Sequence, residues 1–486
     1  MAIALLLSGP GVFMALPGAS AAAILLATAG GLLYMAVRKS LTTSQPYIGV
    51  QCLLMVAFFL HYGMGGALLW YWDSLPWKYA INYNMFLSNG AKENMPMAAY
   101  LALLAGLGLY CGSCLRFRNK NRPRQDAMRD LGSLRRSIMP LAVIFFFLYV
   151  VVVPAAPTNV QATVLVFASF SQVLIVFVAF MAASSKDVAA RWRWWMICGV
   201  CFLLIATPSL RSGMREDFIK PLALIAIGWI AARRRVPWKA GLVTLGAFIL
   251  LVLPVLNLAK QYALEGNQAG MARLSGAYQD VAERNYGTVM EGVFANALER
   301  VNLLPSLAVF SRFYPLGMPF LHGETFLLET IEFVPRLFWP EKPEVGRLLD
   351  GYSRQVGIIG TGDTQTSAKF DAITEYFINF GALGVFVLSV LHGAFYRLTE
   401  AVFRHYLSPI LATFMIAVMM VQNNDFFSFV MLVPSHLKQV IAWISIVALV
   451  RIVGAQAPQR YVTTRVESAV GGKSARAFVN QKIELL

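Results

Sequence analysis

The chain has 486 residues, of which 58% are hydrophobic and only 14% are charged. Soluble domains carry roughly 25% charged residues, and here the apolar residues come in runs near the ~20 needed to cross a bilayer. This composition excludes an ordinary soluble protein and indicates a polytopic membrane protein. The net charge of +16 lies mostly beside the ends of apolar segments, as the positive-inside rule expects. It therefore indicates contact with membrane lipid rather than with nucleic acid.

The apolar stretches, taken in chain order, predict eleven or twelve membrane-spanning helices. The first block, 2–37, is interrupted at Pro17 and forms either a hydrophobic hairpin or one span behind an apolar leader. The further spans are predicted at 47–70, 97–115, 138–153, 161–183, 194–208, 218–232, 241–257, 376–396, 405–420 and 437–450. Segments on one side hold 25 lysines and arginines against six in the short segments of the other. The positive-inside rule assigns the richer side to the cytoplasm.

One long polar segment, 258–375, interrupts the apolar series and is predicted to fold as a cap outside the membrane. It holds ten basic and fourteen acidic residues, and long loops cross the membrane largely regardless of their charge. The chain is therefore expected to divide into four parts. These are an N-terminal bundle at 1–257, the cap at 258–375, C-terminal membrane helices at 376–454 and a basic cytoplasmic tail at 455–486.

The sequence gives no reason to expect a metal ion or a cofactor. Its five cysteines include two CxxC pairs, at 111/114 and 198/201, but these lie on predicted membrane helices, where cysteine packs as a small apolar residue. The phosphate-cradling GxxxxGK[ST] motif, the HExxH motif and the GxSxG motif are all absent. The segments assigned to the outside also lack the acidic pair that a metal-bound nucleotide sugar would require.

Basic residues near the predicted outer face are candidates for binding phosphate. Arg211 and Arg215 are four residues apart at a predicted helix end and would share one face. An arginine near hydrocarbon is costly and is therefore a functional candidate, and guanidinium groups bind phosphate oxygens in a bidentate way. The cap adds four further candidates, which are Arg300, Arg336, Lys342 and Arg354. For every member of the set, pairing with neighbouring carboxylates is the alternative interpretation.

Two residues of the cap are candidates for a general base that would activate a sugar hydroxyl. His322 lies in a glycine-bearing turn, and Glu375 stands at the mouth of a membrane helix. A structural role is the alternative for each of them. His392 is interpreted as a packing residue within a span, and His436 is a further candidate expected to face the outside.

Three motifs carry a resemblance to a known family. They are SGMRED at 212–217, VPRLFWPEKP at 334–343 and TEYFINFGALG at 374–384. Together with the many spans and the single large late loop, these motifs resemble the bacterial oligosaccharide repeat-unit polymerases of the Wzy type, which make O-antigen and exopolysaccharide.

The resemblance implies an all-α, GT-C-like glycosyltransferase of the bacterial inner membrane that needs no metal. Such an enzyme moves a growing glycan from undecaprenyl diphosphate onto the sugar end of another lipid-linked repeat unit. Carried over by position, Arg215, Arg300 and Arg336 would hold the diphosphate. The donor, the acceptor and membrane lipid are the implied partners, and a chain-length regulator protein would be a further one.

Two other functions remain open on the sequence. An O-antigen ligase would pass the glycan to a sugar of the lipid A core and would require an essential histidine in the loop, for which His322 is the candidate. A transporter or flippase for a lipid-linked oligosaccharide would instead show charges within its spans and broken helices near the membrane midplane.

Overall fold

The computed structural model describes most of the membrane-spanning part and much of the cap. The described residues are 9–42, 48–71, 86–115, 139–155, 157, 164–167, 169–212, 216–236, 238–264, 271–283, 287, 289–293, 302–334, 338–360, 362, 370–407, 409–422 and 429–456. Every regular element within these ranges is helical. The prediction of an all-α protein is confirmed.

The first half of the chain forms twelve helices. They are α1 (Pro10–Met14), α2 (Gly18–Thr42), α3 (Val50–Phe58), α4 (Met64–Tyr71), α5 (Met95–Ser113), α6 (Met139–Phe147), α7 (Gln172–Ser184), α8 (Val188–Ser212), α9 (Glu216–Arg233), α10 (Trp238–Ala247), α11 (Leu253–Leu264) and α12 (Met271–Glu283). Single π-helical turns at Phe59–Gly63 and Phe248–Val252 connect α3 to α4 and α10 to α11, and a third follows α6 at Leu148–Val152.

The second half is built from six helices. They are α13 (Leu304–Phe313), α14 (Glu324–Glu329), α15 (Val345–Gln355), α16 (Ala372–Tyr406), α17 (Pro409–Gln422) and α18 (Phe429–Gln456). A 3-10 turn at Thr330–Phe333 extends α14. The short helices α13, α14 and α15 come from the segment predicted to form the cap.

Six helical segments are long and apolar enough to cross a membrane. They are Gly18–Thr42, Val50–Trp70, Met95–Ser113, Val164–Ser184, Val188–Ala206 and Ala372–Tyr406. Shorter apolar helices occur at Val143–Val152, Gly241–Leu256, Ile410–Gln422 and Leu432–Ala448. The protein is therefore a multi-pass membrane protein, as predicted. The exact number of spans stays a prediction.

The centre of the bundle is the contact between α5 and α16. A Cβ atom added at Gly112 would lie 2.0 Å from the Val390 carbonyl oxygen, and one added at Gly393 would lie 2.3 Å from that of Leu109. Small residues allow the backbones of membrane helices to approach this closely. The close contact holds α16 in place and thereby fixes the element that carries the candidate site.

Helix α16 is broken at Gly381. This residue has φ 67° and ψ −162°, a backbone conformation that glycine adopts readily and other residues rarely do. Tyr376 Oη lies 2.9 Å from His392 Nδ1, yet residues sixteen apart in a straight helix are separated by about 24 Å along the axis. The N-terminal segment of α16 (372–380) therefore folds back against its C-terminal segment (382–406). The sequence predicts an uninterrupted span over 376–396, which the break at Gly381 contradicts.

Candidate functional site

The break in α16 creates the attachment point for a turn of the cap. The carbonyl groups of Ile378 and Asn379, which a continuous helix would use internally, accept hydrogen bonds from the backbone N–H groups of Leu321 and His322 at 2.9 and 3.2 Å. The turn at 321–325 (LHGET) is thereby joined to the N-terminal segment of α16 by main-chain bonds.

Asn379 organises this junction through its buried side chain. Its Oδ1 accepts from the Gly323 N–H at 2.8 Å, and its Nδ2 donates to Thr325 Oγ1 and to the Glu375 carbonyl oxygen, each at 2.8 Å. Because buried polar groups are costly without partners, these bonds hold the turn in one position. The sequence analysis noted Asn379 only as a neighbour of Glu375, since its partners come from a different part of the chain.

Glu375 lies beneath the turn with 1% of its surface exposed. Thr325 Oγ1 donates to its Oε1 at 2.5 Å. A buried carboxylate requires such donors, and the bond makes Glu375 part of the support of the turn. In this arrangement its carboxylate does not face solvent.

His322 and Glu324, by contrast, are both exposed at the tip of the turn. His322 has φ 48° and Gly323 has φ 95°, a left-handed pair of residues that reverses the chain direction. Burial, together with hydrogen bonding and charge from Glu324, raises the pKa of Tyr352 to about 12. Burial and the same carboxylate also raise the pKa of Tyr314. Two phenols therefore lie against Glu324, while the imidazole beside it is open.

The start of α16 is fixed by Asp371, which caps the helix. Its Oδ1 accepts from the N–H groups of Ile373 and Thr374 at 2.9 and 3.1 Å, and its Oδ2 accepts from Thr374 Oγ1 at 2.7 Å. Tyr62, in the π-helical turn between α3 and α4, also donates to Oδ1. An aspartate before an apolar helix is a recognisable capping signal. The segment 372–380 is thus anchored at its first residue as well as at its break.

A second polar group lies at the far end of α14, where Lys342 is buried. Its Nζ donates to Glu332 Oε2 at 2.8 Å and to the Val334 carbonyl oxygen at 3.2 Å. Lys438, from α18, donates to the Glu332 carbonyl oxygen at 2.9 Å. The ion pair agrees with the alternative interpretation of Lys342. The sequence analysis missed the contribution of Lys438, because that residue belongs to the last membrane helix.

The turn at 321–325 and this lysine pair are connected by one helical segment. Thr325 and Glu332 are seven residues apart along α14 and the 3-10 turn after it, which corresponds to about 10 Å. Helix α14 contacts α15, α16 and α18, so the segment is held by the cap and by the membrane helices at once.

A family model described as a domain of unknown function (DUF8712) matches residues 37–450, which include all of these groups. The chain belongs to the DUF8712 family. No curated protein and no solved structure matches it. Within the DUF8712 domain, the two polar groups lie late in the matched region, on the elements that join the cap to the last membrane helices.

The arginines predicted for the DUF8712 domain have different outcomes. Arg215, Arg300 and Arg336 lie outside the described residues, so their proximity stays a prediction. Arg211 lies in the last turn of α8, and its side chain also falls outside the description. Arg354 is half-buried in the last turn of α15. The structure thus brings together His322 with Glu375, and Lys342 with Lys438.

His436 is placed differently from the expectation. It is fully buried in α18, its Nδ1 donates to the Leu432 carbonyl oxygen at 2.9 Å, and its ring lies 5.2 Å from that of Tyr396. The expectation that it faces the outside is wrong, because α18 packs this face against α16. Its Nε2 has no hydrogen-bond partner among the described residues.

The described part of the DUF8712 domain contains no group of three or more histidine, cysteine, aspartate or glutamate side chains placed to hold a metal ion. Cys198 and Cys201 are buried in α8 as free thiols, in agreement with their interpretation as packing residues. The chemistry considered below therefore uses only the histidine, carboxylate, hydroxyl and amine groups described here.

Proposed function

We propose that this protein is a metal-independent glycosyltransferase that polymerises undecaprenyl-diphosphate-linked oligosaccharide repeat units into surface polysaccharide. The observation that carries the proposal is the turn at 321–325. It presents an exposed imidazole and carboxylate on a broken membrane helix, and one short helical segment connects it to a pair of lysines. This pairing of a proton acceptor with cations is what a lipid-linked sugar diphosphate requires.

In the proposed reaction, a hydroxyl group of the acceptor sugar attacks the anomeric carbon of the donor glycan. The new glycosidic C–O bond forms while the bond from that carbon to the diphosphate oxygen breaks. The hydroxyl proton passes to a base of the protein, and undecaprenyl diphosphate leaves with the bonding electrons. Positively charged groups stabilise the charge that develops on the leaving group, an effect that usually contributes most to catalysis.

The exposures of the candidate residues support a division of roles. His322 is open to solvent, which favours it as the group that takes the proton. Glu375 is buried under Thr325, which favours a role in holding the turn. Lys342 lies with the predicted diphosphate-binding residues Arg211, Arg215, Arg300, Arg336 and Arg354 in the proposed site.

The proposal includes the location of the reaction. The resemblance and the distribution of basic residues support a GT-C-like bundle of eleven or twelve spans in the bacterial inner membrane, with the cap on the periplasmic or extracytoplasmic side. Donor and acceptor would both reach the site from the surrounding lipid, and a chain-length regulator protein would act on the growing product.

Gel analysis of surface polysaccharide in a deletion strain tests the function directly. Loss of a polymerase leaves single-repeat products, loss of a ligase leaves bare lipid A core, and loss of a transporter leaves lipid-linked repeats at the inner face. We expect the first pattern. Purified protein should also polymerise lipid-linked repeats in the presence of a chelator, and a strict requirement for added metal would contradict the mechanism.

A lipid-linked oligosaccharide transporter is the second candidate, because the structure contains a membrane helix broken at Gly381 and two histidines, His392 and His436, buried between α16 and α18. Transporters bind substrates at broken helices, and ionisable residues inside the membrane often carry protons. Proteoliposomes distinguish the two functions. A transporter moves a labelled lipid-linked repeat across the bilayer without lengthening it.

A further inference from the structure

A local imbalance of charge surrounds Glu332. The Lys342 side chain is only 4% exposed and the Glu332 side chain 29% exposed, and their ion pair measures 2.8 Å. Lys438 also donates to Glu332, at 2.9 Å, but to its backbone carbonyl oxygen. Within the described part of the chain, no carboxylate lies within ion-pair distance of Lys438. Two ammonium groups therefore contact one residue that carries a single negative charge.

This arrangement is unfavourable unless an anion joins it. Like charges that are partly removed from water repel one another and lose hydration, and the loss is offset only when an opposite charge lies close. Lys438 uses one of its three N–H donors on the Glu332 carbonyl oxygen. The position of its amine beside Lys342 leaves a net positive charge for a ligand to neutralise.

We propose that Lys438 and Lys342 form a phosphate-binding subsite, in which Glu332 occupies Lys342 until a phosphate group replaces it. The ligand class is a diphosphate, either free or carried by a lipid. Its identification as the leaving group of glycan transfer rests on the function proposed above. The subsite adds a residue of the last membrane helix to the proposed site, and it gives Glu332 the role of an internal competitor.

The position of the subsite supports this assignment. Lysine ammonium groups bind phosphate as point charges, and the backbone carbonyl groups of Glu332 and Val334 orient both amines. The same helical segment leads to Thr325 and the turn that carries His322. A diphosphate bound at the lysines would therefore lie one short helix away from the proposed base.

The test measures binding without turnover, with the full-length protein in nanodiscs. The first probe is inorganic diphosphate in solution, with phosphatidylcholine as the only lipid. The second probe is undecaprenyl diphosphate incorporated in the nanodisc. We expect Lys438→Gln to weaken binding about tenfold or more, because it removes a charge-assisted hydrogen bond. We expect Glu332→Gln to tighten binding several-fold, because the competing carboxylate is gone.

Lys92→Gln is the matched control, since Lys92 loses the same charge but lies 5.3 Å over the ring of Trp70. Its affinity should equal that of the unchanged protein. Lys438→Arg keeps the charge and should retain most of the binding, which separates loss of a ligand contact from misfolding. Equal affinity of Lys438→Gln and unchanged protein for both probes would overturn the proposal.

The two probes also identify the source of the phosphate. Sensitivity of inorganic diphosphate binding to Lys438→Gln supports a subsite that recognises the diphosphate group alone. Sensitivity that is confined to undecaprenyl diphosphate supports a subsite that requires the lipid. Lys438-dependent binding by a protein that makes no polymer would contradict the proposed function but keep the subsite. Normal polymer with Lys438-independent binding would do the reverse.

Discussion

Thr325 donates its hydroxyl group to Glu375 Oε1 at 2.5 Å, a contact between residues that are fifty positions apart. Both side chains are buried. The bond connects the turn that carries His322 to the folded-back segment of α16, so the position of the proposed base depends on a hydroxyl group at the end of that turn.

Replacement of Thr325 by valine tests this dependence. The change keeps the shape of the side chain but removes the donor, and it leaves a buried carboxylate without one of its partners, at a cost of about 1–3 kcal/mol. We expect a lower apparent melting temperature in detergent and lower polymerisation. Thr325→Ser keeps the hydroxyl group and should resemble the unchanged protein. Equal stability of the valine and serine variants would contradict the role of this bond.

A second prediction concerns the break in α16. Gly381→Ala would place a Cβ atom 3.2 Å from Phe320 Cζ at a residue with φ 67°, a backbone conformation that costs other residues roughly 1–2 kcal/mol. We expect this variant to melt at a lower temperature and to lose activity. Gly199→Ala is the control, because Gly199 lies in α8 with nothing within 4 Å of an added Cβ. If both variants are equally stable, the break does not require glycine.

Sequence reasoning predicted the helices and several of the polar groups, because these depend on local patterns. Long apolar runs predict helices in any tertiary context, and His322 and Glu375 are recognisable as ionisable groups beside a span. The break at Gly381 was missed, because glycine is common in membrane helices. Its conformation is stabilised by the bonds from Leu321 and His322 to α16, and these lie about sixty residues away in the sequence.

The same limit explains the errors at Lys438 and His436. Lys438 was counted as one basic residue near a span end, and nothing nearby in the sequence indicates its contact with Glu332. His436 was expected outside because it lies near the polar residues of a predicted loop. In the structure, helix packing turns its ring toward Tyr396. Both outcomes depend on which face of α18 meets its neighbours, and an almost uniformly apolar helix does not encode that face in its pattern.

A third prediction separates the two candidates for the base. His322→Ala should reduce turnover about 10²–10⁴-fold with an unchanged melting temperature, because the imidazole is exposed. Glu375→Gln keeps the size of the side chain and an oxygen that accepts from Thr325, and it should retain most of the turnover. Rates measured on purified, folded protein with lipid-linked repeats check both variants. The opposite pattern would assign the base to Glu375.

A fourth prediction concerns the arginines carried over from the resemblance. Arg336→Ala and Arg215→Ala should each abolish long glycan while the protein stays in the membrane, because the diphosphate would lose a charged contact. Arg347→Ala is the control. Arg347 pairs with Glu344 at 2.9 Å, but the two side chains are 76% and 63% exposed, and such surface pairs contribute little. Normal chain lengths in both test variants would remove these arginines from the site.

The last prediction concerns the side of the membrane on which the turn, the lysine subsite and the cap operate. The tip of the cap follows α15, and Gly360 is exposed there, so a fused reporter should leave the surrounding helices intact. Because long loops cross the membrane largely regardless of charge, alkaline phosphatase fused at this point should be active and a cytoplasm-dependent fluorescent protein should be dark. A fusion in the predicted cytoplasmic tail, after residue 456, should give the reverse. Cytoplasmic behaviour at Gly360 would place the cap on the face where lipid-linked repeats are assembled rather than joined, and the polymerase proposal would then fail.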